Sequence, residues 1–394
     1  MRYFESYIDN SIKKLKDKNL YRQINYIDSS QDRYVYISGK KLLLLSSNNY
    51  LGLCNDKRVK KAAILAIEKF GCGSGGSRLT TGSHSLYNEL EESLARFKGK
   101  ESAIVFNTGY MANIGVLTAI ADRDWVIFSD ELNHASIIDG CRLSKAKIII
   151  YKHCDMVDLD EKVRLYSKGK NIIVTDGVFS MDGDIAPLRE IVNIAKKYKN
   201  IMTIVDDAHG TGVLGERGTG LVEYFDIKDE VDIQIGTLSK ALGSEGGFVV
   251  GSRRLINYLK NKSRSFIYTT ALSPASIASS IKSIEIISKQ RNMRKELLEK
   301  SRWFKDRLQE LGFDVLDSKT PIIPIIVGNS HKTLEFSQRL FEEGLYVQAI
   351  RPPTVKEGTS RLRITIMSTH TMKDLEFAID KLYKIAKEIG VLEG

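Results

Sequence analysis

The chain has 394 residues, of which 42% are hydrophobic and 27% charged, a composition typical of an ordinary globular protein. No stretch approaches the roughly 18 consecutive apolar residues that a membrane span needs. The formal net charge is +10, but the lysines are spread through nearly every predicted helix and no nucleic-acid-binding motif occurs. We therefore expect neither a membrane nor a nucleic acid as a partner.

This length predicts two or three sub-domains, and the first of them covers residues 1–45. The segment MRYFESYIDNSIKKLKDKNL predicts a helix without the apolar core of a secretory signal, and RYVYISGKKLLLLSS predicts short strands. Metal-type spacing is absent from the four cysteines, which are Cys54, Cys72, Cys141 and Cys154. We therefore expect reduced thiols and a cytoplasmic location.

Residues 46–275 alternate short apolar runs with polar clusters and helical segments, which predicts a large α/β domain. The apolar runs are SAIVF (102–106), WVIF (125–128), KIIIY (147–151), NIIVT (171–175), IMTIV (201–205), DIQIG (232–236) and GFVVG (247–251). Runs of this length suit strands buried on both faces, so we expect a mostly parallel sheet. In residues 276–394, long helical segments precede strand-like IIPIIVG and RLRITIM, which predicts a smaller α+β domain.

The glycine-rich segment GCGSGGSRLTTGS (71–83) begins with six residues that fit G-x-G-x-x-G. This pattern indicates a dinucleotide site only when a strand precedes it and a helix follows it. Here the preceding VKKAAILAIEKF has apolar residues at helical spacing, and the following TTGS is typical of a loop. The sequence therefore argues against a dinucleotide-binding loop.

Polar side chains follow five of the predicted strands, at the point where each strand ends. In open α/β sheets, ligands bind beyond the carboxyl ends of the strands. One such side chain could be only a helix cap, as Asp206 could, or a structural histidine, as His134 could. Five clusters together predict a binding site, and its candidate residues in chain order are Gly109, Tyr110, His134, Ser180, Asp206, His209, Thr237 and Lys240.

Lys240 is the most informative of these residues, because TLSKALG places it directly after a predicted buried strand. Partial burial lowers the pKa of a lysine and makes its amine a nucleophile and a base. A lysine amine, an aspartate for a pyridinium nitrogen and a helix N-terminus for a phosphate together describe a pyridoxal phosphate site.

Five segments of the chain resemble the α-oxoamine synthases: LNHASIIDG, DGVFSMDGDIAPL, VDDAHGTGVLGERG, TLSKALGSEGG and AIRPPTVKEGTSRLRIT. The resemblance covers nearly the whole chain. Members of this family are fold-type I pyridoxal phosphate transferases, similar to aspartate aminotransferase, that condense an amino acid with an acyl thioester and release carbon dioxide. The resemblance implies pyridoxal 5'-phosphate as the cofactor and a homodimer with shared active sites.

The resemblance also implies a role for each candidate residue. Lys240 would carry the cofactor and act as base at the substrate Cα, and Asp206 would hold the pyridine nitrogen protonated. His134 would stack on the ring, while His209 and Ser180 would approach its phenolic oxygen. The further cofactor contacts implied are Gly109, Tyr110, Thr237 and, from the second subunit, Thr270. The substrate contacts implied are Asn48 and Arg363 for the amino-acid carboxylate and Arg22 and Thr354 for the acyl group.

Within the family, RPPTVKEGTSRLR and GSGGSRLTTGS are most similar to members that join L-alanine to a pimeloyl thioester, on coenzyme A or acyl carrier protein, in biotin biosynthesis. Other members use acetyl-CoA with glycine, a long acyl chain with serine, or succinyl-CoA. The succinyl branch usually has Thr-Arg-Asn where this chain has Ser77-Arg78-Leu79, and an apolar Leu79 suits a longer methylene chain. A non-catalytic, cofactor-binding regulator is disfavoured, because Lys240 is present and only residues 1–45 precede the predicted core.

Overall fold

The computed structural model describes residues 2–167 and 169–392. These residues form two compact units. The larger unit comprises Asn48–Ser180 and Asp184–Leu297, and the smaller one comprises the residues before Asn48, the short segment 181–183 and the residues from Leu298 onward. The sequence-based boundaries after residues 45 and 275 stay a prediction.

The helices are, in chain order, α1 (Arg2–Asp17), α2 (Lys57–Phe70), α3 (Ser85–Lys98), α4 (Gly109–Ile120), α5 (Ala135–Ser144), α6 (Met156–Tyr166), α7 (Leu188–Tyr198), α8 (Leu221–Tyr224), α9 (Arg253–Lys262), α10 (Arg264–Ile267), α11 (Pro274–Lys289), α12 (Arg291–Glu310), α13 (Ser330–Glu342) and α14 (Met372–Glu388). A short 3-10 helix covers Leu53–Asn55. Among the helices described, none combines the length and the apolar character that a bilayer crossing requires.

The strands are β1 (Tyr34–Ile37), β2 (Lys40–Leu44), β3 (Ser102–Phe106), β4 (Trp125–Asp130), β5 (Lys147–Tyr151), β6 (Lys170–Asp176), β7 (Ile201–Asp206), β8 (Ile233–Thr237), β9 (Gly247–Gly251), β10 (Ile322–Gly328), β11 (Leu345–Tyr346), β12 (Gln348–Ile350) and β13 (Ser360–Thr365). Each of the seven apolar runs in the large region of the sequence is one of these strands, β3 to β9.

The larger unit is built on a seven-stranded sheet with the order β3-β9-β8-β7-β6-β4-β5. Every neighbouring pair is parallel except the two that involve β9, which runs antiparallel to β3 and to β8. The prediction of an α/β fold with a mostly parallel sheet is therefore confirmed. Because all strands but β9 run the same way, their carboxyl ends lie along one edge of the sheet.

Helices on both faces explain why these strands are apolar at successive positions. On β6, Ile172 and Val174 pack into a core with Val116 of α4, whereas Ile173 packs into a second core with Ile191 of α7. All five side chains are almost fully buried. Each burial of this kind stabilises the fold by about 2 kcal/mol.

The smaller unit contains two three-stranded sheets, with the orders β1-β2-β11 and β10-β13-β12. The predicted strands near the N-terminus form an antiparallel hairpin, in which Tyr34 pairs with Leu43. Strand β11 adds to β2 in parallel, and β13 pairs antiparallel with both of its neighbours. The IIPIIVG and RLRITIM segments predicted as strands correspond to β10 and β13.

The glycine-rich segment lies between α2 and α3, so it follows a helix, as predicted, and does not open one. The loop folds back on itself: a Cβ on Gly82 would lie 2.2 Å from the carbonyl oxygen of Gly76 and 2.7 Å from the Cβ of Ala271. Close packing of the loop therefore requires glycine at position 82, independently of any ligand.

Strand β9 begins at Gly247, where the backbone passes close to the turn before α4. A Cβ at position 247 would lie 2.5 Å from the carbonyl oxygen of Thr108 and 2.6 Å from the amide nitrogen of Gly109. We expect Gly247→Ala to lower the free energy of unfolding by about 1–3 kcal/mol, because backbone must shift to admit the methyl group. Urea denaturation measures this change.

The matched control is Gly73→Ala, since a Cβ at position 73 meets no atom within 4 Å. That variant should change the free energy of unfolding by no more than about 0.5 kcal/mol. Equal stability of the two variants would contradict the close packing of β9 against this turn.

Candidate active site

The loops that follow β3, β4, β6, β7 and β8 meet at one edge of the large sheet and surround a pocket. Together with adjoining solvent, the pocket encloses about 620 Å³ of empty space, a size suited to a small-molecule ligand. Its lining residues are Thr108, Gly109, Tyr110, His134, Ser136, Asp176, Ser180, Asp206, Ala208, His209, Thr237, Ser239 and Lys240. All eight residues predicted from the strand ends are brought together here.

Two carboxylates lie side by side in this pocket. Asp176 and Asp206 are the last residues of neighbouring parallel strands and are partners in the register. The Asp206 carboxylate accepts hydrogen bonds from Asn113 Nδ2 at 2.6 Å and from the Ala208 N–H at 3.0 Å, and both favour its charged form. Burial, followed by the negative charge of Asp206, raises the pKa of Asp176 well above its usual value. Asp176 is therefore a carboxyl group that keeps its proton to a higher pH than usual.

A chain of hydrogen bonds connects Asp206 to His134. Asn113 Nδ2 donates to Asp206 and also to Ser136 Oγ, at 2.9 Å. The Ser136 hydroxyl lies 2.8 Å from His134 Nδ1, which also accepts the Ser136 backbone N–H at 3.3 Å. Because Nδ1 accepts these hydrogen bonds, the ring proton belongs on Nε2 and the imidazole is neutral.

The electrostatics of His134 agree with this assignment. Burial lowers the pKa of His134 below its usual value, and the Asp206 carboxylate opposes this only in part. The Lys240 ammonium lowers it further. A neutral, flat imidazole is therefore held in the pocket without the cost of burying a second positive charge.

The loop that carries His134 is fixed to β6 by the backbone N–H of His134 and by the side chain of Asn133. The His134 N–H donates to Asp176 Oδ2 at 2.6 Å, and Asn133 Oδ1 accepts the Asp176 N–H at 2.7 Å. Asn133 Nδ2 also donates to the Val174 carbonyl oxygen at 3.0 Å. The LNHAS motif thus places the imidazole by clamping the loop to the neighbouring strand.

The N-terminus of α4 supplies hydrogen-bond donors at the other side of the pocket. Thr108 caps this helix by accepting the Met111 N–H at 3.0 Å. The N–H groups of Gly109 and Tyr110 are in the first turn, where a helix offers no acceptor of its own. The Thr237 hydroxyl is held nearby by the Gly246 carbonyl oxygen at 2.9 Å. Backbone N–H groups at a helix N-terminus together with a hydroxyl suit a phosphate group.

Lys240 lies in the connection between β8 and the antiparallel β9. At the base of this connection, the Leu238 N–H donates to the Gly246 carbonyl oxygen at 2.9 Å. At its tip, the Gly243 N–H donates to the Lys240 carbonyl oxygen at 2.9 Å. The Lys240 side chain is half-buried and lines the pocket. A rigid connection of this kind presents the amine beside Asp206 and His134.

Asp207 follows Asp206 directly but serves a different purpose. Its side chain is fully buried and accepts a hydrogen bond from the fully buried Lys98 Nζ at 2.7 Å. The Lys98 amine also donates to the Thr219 carbonyl oxygen at 2.5 Å. Of the two adjacent carboxylates, only Asp206 lines the pocket.

His209 is joined to a predicted substrate residue through a tyrosine. The hydroxyl of Tyr50 lies 2.7 Å from His209 Nδ1 and 3.3 Å from Asn48 Oδ1. Tyr50 is almost fully buried and packs against His209 edge-on. Asn48 is not among the lining residues described for the pocket, but it is linked to the pocket in this way.

The other predicted residues are not among the lining residues described for the pocket. Thr270 belongs to the larger unit, where its carbonyl oxygen accepts a hydrogen bond from Asn107 Nδ2 at 2.6 Å. Arg22, Thr354 and Arg363 belong to the smaller unit. Of these three, Arg363 is buried in β13, while Arg22 and Thr354 are exposed. The roles assigned to all these residues stay predictions.

Sequence reasoning did not single out Asn113, Ser136 or Tyr50. The signal for Asn113 is that it is a buried amide inside the mostly apolar helix GYMANIGVLTAI, four residues after the Gly109 that begins the helix. Ser136 lies in a motif already noted, two residues after His134. Tyr50 carries no comparable signal, because its partner His209 is distant in the sequence.

Comparison with known proteins identifies the family. The family model for aminotransferase class I and II matches residues 40–382. The 8-amino-7-oxononanoate synthase of Lysinibacillus sphaericus is 52% identical, with 96% of this chain and 97% of the relative covered. The 8-amino-7-oxononanoate synthase of Thermoanaerobacter pseudethanolicus is 48% identical, with 98% of each covered.

A solved high-resolution structure of SPT with PLP has a TM-score of 0.93 and 32% identity over 98% of each chain. The chain therefore belongs to the class I and II aminotransferase family and, within it, to the 8-amino-7-oxononanoate synthases.

Proposed function

We propose that this protein is a pyridoxal phosphate enzyme that condenses L-alanine with a pimeloyl thioester. The products are 8-amino-7-oxononanoate, carbon dioxide and the free thiol carrier, which is coenzyme A or acyl carrier protein, in the pathway to biotin. The observation that carries the proposal is the single pocket lined by Lys240, Asp206 and His134, in a chain whose relatives over nearly their full length are 8-amino-7-oxononanoate synthases.

The residues of the pocket fit pyridoxal 5'-phosphate. The N–H groups at the N-terminus of α4 offer hydrogen-bond donors for a phosphate beside Thr237, and the Asp206 carboxylate suits a protonated pyridine nitrogen. The amine of Lys240 suits the cofactor aldehyde. When bound, the cofactor withdraws electrons from the Cα of the amino acid and so makes its proton acidic.

Asp206 holds a proton at the pyridine nitrogen. Its carboxylate oxygens accept hydrogen bonds from Asn113 and Ala208, which leave it aimed into the pocket. A buried charge aimed at a protonated nitrogen stabilises that proton far more than water would. His134 contributes a neutral ring surface, and its Nε2–H is left as the donor that faces away from Ser136.

Lys240 moves the proton at the substrate Cα. Its amine removes that proton, after which a carbon–carbon bond forms between Cα and the thioester carbonyl carbon. The carbon–sulfur bond breaks and the thiol leaves, the alanine carboxylate departs as carbon dioxide, and Lys240 returns a proton to Cα. The same side chain thus serves as base and then as acid.

We also infer a cytoplasmic homodimer with shared active sites, in which Thr270 reaches the partner's phosphate site. Tyr268, two residues before Thr270, is 71% exposed, and Leu79 of the glycine-rich segment is 58% exposed. The bridge between Ser77 and Thr270 brings these two segments together, and a contiguous exposed apolar patch is typical of a surface that another chain covers. By the family resemblance, Asn48 and Arg363 serve the alanine carboxylate, and Arg22 and Thr354 serve the acyl group. That acyl group consists of five methylenes and a distal carboxyl group or its ester.

The covalent role of Lys240 can be tested by trapping. We expect the purified protein to be yellow, and borohydride to fix the cofactor to the peptide that contains Lys240. In Lys240→Ala the covalent label should disappear, while weak cofactor binding persists through Asp206 and α4. Peptide mass spectrometry identifies the labelled residue.

The matched control is Lys262→Ala, which removes an exposed lysine at the end of α9 and should keep the label. A label on another lysine in the wild-type protein would show that the assignment of the TLSKALG segment is wrong.

Turnover with a panel of amino acids and acyl thioesters, followed by mass spectrometry, tests the proposed substrates. We expect L-alanine to be preferred over glycine and serine, and pimeloyl to be preferred over succinyl and acetyl thioesters. Each buried methylene contributes roughly 0.8 kcal/mol, so two fewer should cost on the order of tenfold in kcat/KM. If glycine with acetyl-CoA were the best pair, the biotin assignment would be wrong while the chemistry of Lys240 would stand.

A further inference from the structure

His153 lies between two carboxylates beside the pocket, although it does not line it. It follows β5, in the turn before α6. Its Nδ1 lies 3.0 Å from Asp130 Oδ1, and its Nε2 lies 2.9 Å from Asp184 Oδ2. The Asp130 side chain is fully buried, and the His153 ring is largely buried.

Hydrogen-bond geometry fixes the charge of this histidine. A carboxylate can only accept, so both ring nitrogens of His153 must carry a proton and the ring is an imidazolium. Burial by itself would lower the pKa of His153, but the hydrogen bonds to Asp130 and Asp184 outweigh it and raise the pKa to about 12. The other titratable groups that face this turn are Glu131, which accepts the His153 backbone N–H at 3.2 Å, and the thiol of Cys154.

On one side, the imidazolium is bound to the loop that leads to His134. Asp130 ends β4, and besides His153 it accepts the Leu132 N–H at 2.9 Å and, through its second oxygen, the Cys154 N–H at 2.9 Å. Oδ1 of Asp130 therefore fixes the start of residues 131–136, which we name the His134 loop, while Oδ2 holds the turn that carries His153.

On the other side, the imidazolium is bound to the base of residues 177–186, which we name the Ser180 loop. Asp184 closes this loop by accepting the Phe179 N–H on its carbonyl oxygen at 3.0 Å, and Val178 and Ile185 form an isolated bridge. The Phe179 ring packs edge-on against His153, with 4.4 Å between the ring centroids. One side chain thus contacts the Ser180 loop twice, directly beside the residue that lines the pocket.

A metal site is the obvious alternative for this cluster, since ligand atoms of Asp130, His153 and Cys154 lie within 4.8 Å of one another. A metal needs a deprotonated imidazole nitrogen and a thiolate. Here both ring nitrogens are occupied by carboxylates, and burial raises the pKa of the Cys154 thiol. The arrangement favours an ion-pair clamp over metal binding.

We propose that His153 is a positioning residue, a cation that ties the His134 loop to the Ser180 loop and so holds His134 and Ser180 in place on the cofactor pocket. The proposal rests on the proposed function only for the identity of the ligand that these loops contact. The clamp itself is a property of the chain without cofactor.

The test uses the full-length protein and three variants. In His153→Gln the amide NH2 can face one carboxylate, but the carbonyl oxygen then faces the other and cannot donate to it. Adding Asp184→Asn to it supplies an amide that can donate to the glutamine oxygen and so restores both hydrogen bonds without charge. The control is His331→Gln, which changes an exposed histidine at the start of α13.

Two readouts are measured: hydrogen–deuterium exchange in protein freed of cofactor, and the Kd for pyridoxal phosphate. In His153→Gln we expect faster exchange confined to the Ser180 and His134 loops and a Kd for pyridoxal phosphate raised on the order of tenfold. We expect kcat to fall, and the fold-change in kcat to be larger than the fold-change in the KM for alanine. The double variant should recover slow exchange and most of the affinity, and His331→Gln should match the wild type.

Unchanged exchange in both loops of His153→Gln would overturn the proposal. So would a uniform increase of exchange across the larger unit that Asp184→Asn does not reverse, because that result indicates general destabilisation. If the wild-type protein bound no pyridoxal phosphate, the proposed function would fail, yet the exchange measurement would still decide the role of His153.

Discussion

Two carboxylates at the ends of adjacent strands cannot both stay ionised in a buried pocket, and the chemistry of this protein depends on which one does. The Asp206 carboxylate accepts two N–H donors, one from Asn113 and one from Ala208. For the Asp176 carboxylate, one hydrogen bond is described, from the backbone N–H of His134. Burial, followed by the charge of Asp206, raises the pKa of Asp176. This leaves one negative charge where a pyridine nitrogen would need it.

The rest of the site follows from that charge. Since Asn113 uses its other hydrogen on Ser136, the serine hydroxyl is oriented toward His134 and fixes its neutral tautomer. The pocket then holds the carboxylate of Asp206, the amine of Lys240 and a neutral His134. A parallel sheet makes this possible, because it delivers the ends of β4, β6, β7 and β8 to one edge.

Much of this organisation could be predicted from the sequence, for identifiable physical reasons. Strands buried on both faces need continuous β-branched runs, so β3 to β9 were visible as apolar segments. The residues that follow such runs in a parallel sheet must share an edge, which predicts that Asp206, His134 and Lys240 lie close together. The family resemblance then added roles to residues whose type alone would not assign them.

What the sequence could not show depends on pairings between distant segments. Strand β11 has only two residues and exists because β2 offers it an edge, so no local pattern indicates it. Tyr50 matters through a contact with His209, far along the chain. The sequence gives no signal for His153, because only the fold places Asp130 and Asp184 on opposite sides of its ring.

The central claim is that Asp176 holds the proton and Asp206 the charge, and infrared spectroscopy of the carboxyl C=O stretch tests it most directly. In the protein without added cofactor at neutral pH, the account predicts a band from a buried protonated carboxyl group that disappears in Asp176→Asn. In Asp206→Asn the band should remain in acid and titrate at lower pH, because the neighbouring charge no longer opposes ionisation. A band that disappears in Asp206→Asn and is unaffected by Asp176→Asn would contradict the account.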